Sequence, residues 1–293
     1  MKLEPECVGC IINQVYKALK LLQPDISRGE ILNAQKKLMV FLLDFNIEDN
    51  ISPLLGKEAY RIVSEVLDTL DPYKDLKKKY NQLALDIYDE LEEIIENSED
   101  PLYQALIISA IGNTIDFAGQ HEIDLISDIK DFTKEVLLFD DYFKFKEALG
   151  NTKNLLIIGD NAGEIVFDKL LIKTLKNIYP NLNIVYSVRD GPIINDATME
   201  DANFIGLTDI ILVVKSSATP GIDINSSSEG FKDIFYQRGT LVLSKGQGNF
   251  ESLFDSELAN KEVFYLMMIK CNLMERMFGA KIGDLIFKKN IND

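Results

Sequence analysis

Five apolar runs recur through the second half of the chain, at 155–158, 183–188, 209–214, 240–243 and 263–269. Between the first four lie segments 165–177, 196–204 and 229–238, whose apolar residues recur at helical spacing. A strand that is apolar at every position has no face left for solvent. A helix between successive strands of this kind requires a crossover, and a crossover makes the pairing parallel. The pattern predicts a mostly parallel sheet with helices on both faces, over residues 151–293.

Strand ends carry the chemistry in such a sheet, because ligands bind outside the carboxyl edge. The run at 155–158 is followed by Gly159-Asp160-Asn161-Ala162-Gly163-Glu164. The second run leads into Arg189-Asp190-Gly191-Pro192-Ile193-Ile194-Asn195-Asp196, and the third into Lys215-Ser216-Ser217. The fourth leads into Lys245-Gly246-Gln247-Gly248-Asn249 and the fifth into Lys270-Cys271. Parallel strands bring all five stretches to one edge.

Asp160, Asn161 and Asp196 are hard oxygen donors of the kind that Mg²⁺ or Mn²⁺ takes. A cation there polarises a phosphoryl oxygen and lowers the pKa of water. The plain alternative is that Asp160, Asn161 and Asp196 cap the helices that follow them. Glu164 falls in a first helical turn, where it serves either as a general base or as a partner of the helix dipole. Lys245 and Lys270 each follow a strand and are read as phosphate partners, with Gly246 and Gly248 allowing close backbone approach. The Ser/Gly-rich segment 216–228 is read as a mobile loop over the site or a disordered connection.

Residues 1–150 show few strand signals and are read as a helical module or cap. Cys7 begins a helical pattern that Pro24 ends, and Ser27 with Glu30 forms a capping-box sequence. A long amphipathic helix is predicted over 73–97, and another over 102–118. Inside the latter, Gly112-Asn113-Thr114-Ile115-Asp116 is out of place, since Gly costs about 1 kcal/mol relative to Ala in a helix. Asn113 and Asp116 share one helical face and are candidate ligand contacts.

Composition removes several function classes. Net charge is −16, from 47 acidic and 31 basic residues, which is unsuited to general nucleic-acid binding. The single histidine, His121, excludes a multi-histidine zinc site and a Ser-His triad on any other histidine. No apolar run approaches the roughly 20 residues that span a bilayer, and the N-terminus is not a signal peptide. Three cysteines without an export signal argue for reduced thiols and a cytoplasmic location. Cys7-x-x-Cys10 with Cys271 lacks a fourth zinc ligand, and packed or redox-silent thiols are the expected reading.

Taken in order, 160–164, 189–198 and 245–251 resemble the damage-control phosphatases, long catalogued as domain of unknown function eighty-nine. Cys7/Cys10, Gly112-Asn113/Asp116 and Lys270-Cys271 are similar to features of the archaeal and bacterial branch. The resemblance implies a Rossmann-like α/β fold and a metal-dependent phosphatase acting on a small phosphorylated metabolite. Sugar phosphates, damaged nucleotides and cofactor intermediates are the substrate classes implied. It assigns the metal to Asp160, Asn161 and Asp196, with Mn²⁺ or Ni²⁺ ahead of Co²⁺ or Mg²⁺. It assigns substrate contacts to Lys245, Gly246 and Asn249, with Arg189, Lys270, Asn113 and Asp116 as further candidates. Two nucleophiles are compatible with this set, Asp160 itself and water, and the missing Asp-x-Asp after the first strand favours water. A different reading of the same edge is a nucleotide- or cofactor-binding protein that does no chemistry. A methyltransferase ranks last, with only Asp190 at the second strand's end to hold an adenosine.

Overall fold

A computed structural model of the chain describes residues 1–112, 137–254 and 261–290. Asn113, Asp116 and His121 lie outside these residues. The N-terminal part contains α1 (Pro5–Leu22), α2 (Arg28–Asp44), α3 (Ser52–Val66), α4 (Lys74–Asp86), α5 (Tyr88–Glu96) and α6 (Pro101–Ile111). After α7 (Tyr142–Asn151), strand and helix alternate: β1 (Asn154–Ile158), α8 (Glu164–Ile178), β2 (Asn183–Val188), α9 (Met199–Phe204) and β3 (Leu212–Lys215). Then come α10 (Glu229–Tyr236), β4 (Thr240–Lys245), α11 (Gln247–Leu253), β5 (Val263–Met268), α12 (Asn272–Phe278) and β6 (Leu285–Lys289).

The six strands form one sheet in the order β3-β2-β1-β4-β5-β6. β1 through β5 run parallel, and β6 pairs antiparallel with β5. The sheet is therefore α/β and mostly parallel, as the apolar runs require. The strand order reverses between β1 and β4, and a crevice opens at such a reversal outside the carboxyl ends. Asp160 follows β1 and Gly246 follows β4, so both stand at that point.

Continuous apolar strands feed two cores at once because side chains alternate faces. Leu155, Ile157, Tyr186, Leu241 and Leu243 pack into the core under α4–α8. Leu156, Ile158, Val185, Val242 and Tyr265 pack into the core on the other face, with Phe231, Phe250 and Met274. α1–α3 pack around an apolar cluster built on Val15, Leu19, Leu38 and Ile62. The change of composition near residue 150 does not divide the packing, since buried residues within 80–111 and 137–149 share one core with the sheet.

Local expectations hold where local forces decide them. Ser27 caps α2 in a capping box with Glu30. Three differences are tertiary. The helix expected over 73–97 is two helices that break at Ile87. Residues 209–211 form a turn onto Leu207 O, so β3 begins at Leu212. The antiparallel edge strand β6 has no expectation behind it. No helix among the described residues is long and apolar enough to cross a membrane.

Candidate active site

Two loops meet at the sheet's reversal point. Asn161 and Asp196 pair in an isolated antiparallel bridge. Ala162 N–H donates to Asn195 O at 2.9 Å, and Ala197 N–H donates to Asp160 O at 2.8 Å. The excursion after β2 is closed on itself, because Arg189 N–H donates to Ala197 O. This strapping brings Asp160, Asn161 and Asp196 side by side from positions 36 residues apart in sequence.

None of the three is a helix cap. The N-cap of α8 is Gly163, with no side-chain cap, and α9 starts from Thr198 in a capping box with Asp201. Asp160 and Asp196 are buried at 8% and 4% exposure, yet both line one cleft of about 560 Å³, together with half-buried Asn161.

Arg189 organises the two carboxylates from behind. Its guanidinium is buried and donates from Nε to Asp196 Oδ2 at 2.6 Å and from Nη2 to Asp160 Oδ1 at 3.5 Å. Its Nη1 donates to Asn249 Oδ1 and to Gly221 O. Asn249 in turn donates to Gly159 O and Lys245 O. Burial pushes the Asp196 carboxyl up to about 7, Arg189 works against that shift, and the neighbouring Asp160 carboxylate adds to it. Asn161 Nδ2 donates to Asp160 Oδ2 at 2.9 Å.

Gly246 has φ +79°, and a Cβ there would overlap the Asp160 carboxylate. Gly248 packs against Pro220 O, where a Cβ would also overlap. The second glycine lets the Pro220 turn of the Ser/Gly-rich segment pack close to the loop after β4. Ser216, Ser217 and Thr219 are buried, and Ser217 and Thr219 donate to Gly221 O, the carbonyl that receives Arg189.

Lys245 is not at the open edge. Strand alternation puts it on the same face as Leu241 and Leu243, beneath α6 and α8. It is fully buried, and Nζ donates to Glu164 Oε1 at 2.5 Å, Asp168 Oδ1 at 2.6 Å and Ser109 O at 3.1 Å. Asp168 also accepts from Ser109 Oγ and Tyr186 OH, each at 2.6 Å. Burial works against the Lys245 charge, but Asp168 and Glu164 hold its pKa above the ordinary lysine value. Glu164 is likewise no open general base. Burial raises it to about 7, the Lys245 charge pulls it back, and its Oε2 accepts from Asn161 N–H at 3.5 Å. Arg189, Gly246 and Asn249 also stand behind the two acids rather than on the cleft wall, so their contribution is to position.

The cation on the cleft wall is Lys270, exposed and attractive to Asp196. Gln247 lies beside it, accepting from Lys270 N–H and donating to Glu251. Cys7, Cys10 and Cys271 reach the same cleft, all as free thiols. Among the described residues no group of three or more His, Cys, Asp or Glu is arranged to hold a metal. A cation here would have two carboxylates and the Asn161 amide as its donors. That donor set fits a hard divalent ion: all oxygen, converging on a polar cleft, with an Asp196 carboxyl that one Arg leaves poorly stabilised as an anion.

Sequence reasoning missed Asn81 of α4. It is buried, and its Oδ1 accepts from Gly163 N–H at 2.7 Å while Nδ2 donates to Asp201 Oδ1 at 2.8 Å. It thereby clamps the turn after Asn161 to the helix after Asp196. Lys77, also buried, pairs with Asp71 at 2.8 Å beside it. Asp168 was missed too, although a charge four residues after Glu164 inside an apolar helix was a usable signal.

Comparisons with known proteins bear on the family and the fold. The family model of the damage-control phosphatase ARMT1-like domain matches residues 3–286. A damage-control phosphatase of Archaeoglobus fulgidus is 31% identical, over 98% of this chain and 99% of that one. A damage-control phosphatase of Pyrococcus horikoshii is 30% identical, over 99% of each. The crystal structure of a DUF89 family protein from Pyrococcus horikoshii superposes with a TM-score of 0.85 at 27% identity, covering 99% of this chain and all of that one.

Proposed function

This chain belongs to the damage-control phosphatase ARMT1-like family, and from that membership we propose that it is a metal-dependent phosphatase hydrolysing phosphomonoesters of small metabolites. The observation that carries the reading is the convergence of Asp160, Asn161 and Asp196 on one cleft, which Lys270 also lines as a cation for the phosphate. A divalent ion, Mn²⁺ or Ni²⁺ first and Co²⁺ or Mg²⁺ next, would be held by those three residues and would polarise a phosphoryl oxygen and make water more acidic. Arg189 keeps the two carboxylates oriented and offsets part of their mutual repulsion. Lys270 draws the phosphate dianion to the mouth. Asp160 holds rather than attacks, because Oδ1 accepts from Arg189, Oδ2 accepts from Asn161, and the side chain is pressed on Gly246. Water is assigned as the attacking group on that account and on the missing Asp-x-Asp after β1.

The test is a screen of p-nitrophenyl phosphate, sugar phosphates and nucleotides with each divalent ion. Turnover that needs the ion, with metal affinity lost in Asp160→Asn on direct titration, is the expected result. Binding of nucleotides without turnover by any ion would instead make the chain a binding protein. A phosphorylated Asp160 recovered after rapid quench would replace water with the carboxylate.

A further inference from the structure

A second cavity, of about 290 Å³, opens between α1 and α3 beside the cleft. Its walls are Val15 and Ala18 of α1, Ala59 and Val63 of α3, and the side chains of Tyr60 and Tyr73. The two rings lie 6.3 Å apart, tilted by 31°. Tyr60 OH donates to Leu70 O, so one phenol already has its polar end satisfied. Burial raises both phenols, Tyr73 to about 12, so neither ionises near neutral pH. No acid lines this cavity, and Lys17 is its one charged residue. The cleft, in contrast, is lined by Glu6, Asp160, Asp196 and Glu251.

The two cavities are contiguous. Gln14, Gly56 and Ile194 line both. Ile194 stands two residues before Asp196, and its φ of +46° is a left-handed conformation that a β-branched residue adopts only under strain. Strain of this kind persists where surrounding structure holds it, commonly at ligand sites. Here it sets the Ile194 side chain on the boundary between the polar and the apolar space. Small-molecule sites combine an apolar, aromatic wall with a few placed polar groups, and the two cavities together have that composition.

We infer that the cavity between α1 and α3 is a subsite for the planar aromatic body of the substrate, so that the preferred esters are aryl phosphates rather than small polyol phosphates. The inference rests on the phosphatase reading of the cleft. In it, the phosphate meets Lys270 and the cation that Asp160, Asn161 and Asp196 would hold, and the ring passes over Ile194 to lie against Tyr60 and Tyr73.

The test compares 1-naphthyl phosphate with glycerol 2-phosphate. The chain has no tryptophan, so naphthyl fluorescence reports binding without turnover. The naphthyl ester is expected to show a KM at least tenfold lower than the glycerol ester. Ala18→Phe fills the cavity from α1 and is expected to reduce that preference at least fivefold and to weaken naphthyl binding equally. Leu21→Ala, at an exposed wall position, is expected to weaken naphthyl binding about threefold, and it decides the matter if Ala18→Phe does not fold. Equal KM values for the two esters, or naphthyl binding unchanged in the folded variants, overturn the subsite. Naphthyl phosphate that binds wild type and not Ala18→Phe, with no hydrolysis of either ester, overturns the phosphatase reading and leaves the subsite standing.

Discussion

Replacing Lys245 with Met separates the two roles a lysine after β4 can have. The ammonium is bound by Glu164, Asp168 and Ser109 O in a site with no solvent exposure. Met keeps most of the apolar stem and removes the charge. Glu164 and Asp168 are then two buried carboxylates without a cation. Removing one partner of a buried ion pair costs about 3–5 kcal/mol, because the remaining charge stays desolvated. Asp168 keeps its bonds from Ser109 and Tyr186, which limits the loss. In a chain of this size the expected drop in Tm is on the order of 10 °C. The loss also depends on pH, with a definite sign. Glu164 sits at about 7 in the folded protein against an ordinary 4.5. Without Lys245 its folded value rises further, while the unfolded value is unchanged. Below pH ~4.5 the acid is protonated in both states and contributes no penalty. The penalty grows as pH rises from there through the folded value. Urea denaturation with chelator present, at pH 5.5 and pH 8, measures both quantities, and the variant is expected to lose more at pH 8. A native midpoint at pH 8 together with a raised KM for a phosphate ester would refute the argument, since that is the signature of a lysine facing substrate.

Gly246→Ala is expected to cost roughly 3 kcal/mol, from left-handed strain and the displaced Asp160 bonds, and calorimetric titration should show metal affinity falling at least tenfold. Asn81→Ala leaves Gly163 N–H and Asp201 Oδ1 without their partner, so about 1–3 kcal/mol of stability should be lost by urea denaturation. Metal affinity should fall with it, although Asn81 touches none of the three ligands; an unchanged affinity would reduce its role to packing. In wild type without metal, Glu164 and Asp196 both sit at about 7, above their ordinary 4.5 and 3.8. The folded state keeps protons that the unfolded state has released, so these two groups stabilise most below pH ~4 and their contribution is lost as pH rises to about 7. Urea midpoints that increase across that window would contradict it.

The fold was legible because its determinants repeat locally. Apolar runs of strand length, separated by helical spacing, leave a parallel sheet covered on both faces as the arrangement without exposed apolar strands. The place of the site was legible for the same reason, since parallel strands send all their carboxyl ends to one edge. Asp160, Asn161 and Asp196 were readable as oxygen donors at that edge. Which side chains open to the cleft was not readable. Lys245 and Lys270 both follow strands, yet the alternation of β4 sends Lys245 under α8 while Lys270 lies beyond the end of β5 and stays exposed. Arg189 resembled a substrate contact until the strapping of 189–198 turned its guanidinium onto the two acids. Asn81 lies 82 residues before Gly163, whose amide it binds, and no local pattern encodes that distance. Sequence periodicity determines which face a residue occupies. What lies against that face is decided by packing between distant segments, and in this protein that packing separates the residues lining the cleft from those that hold them in place.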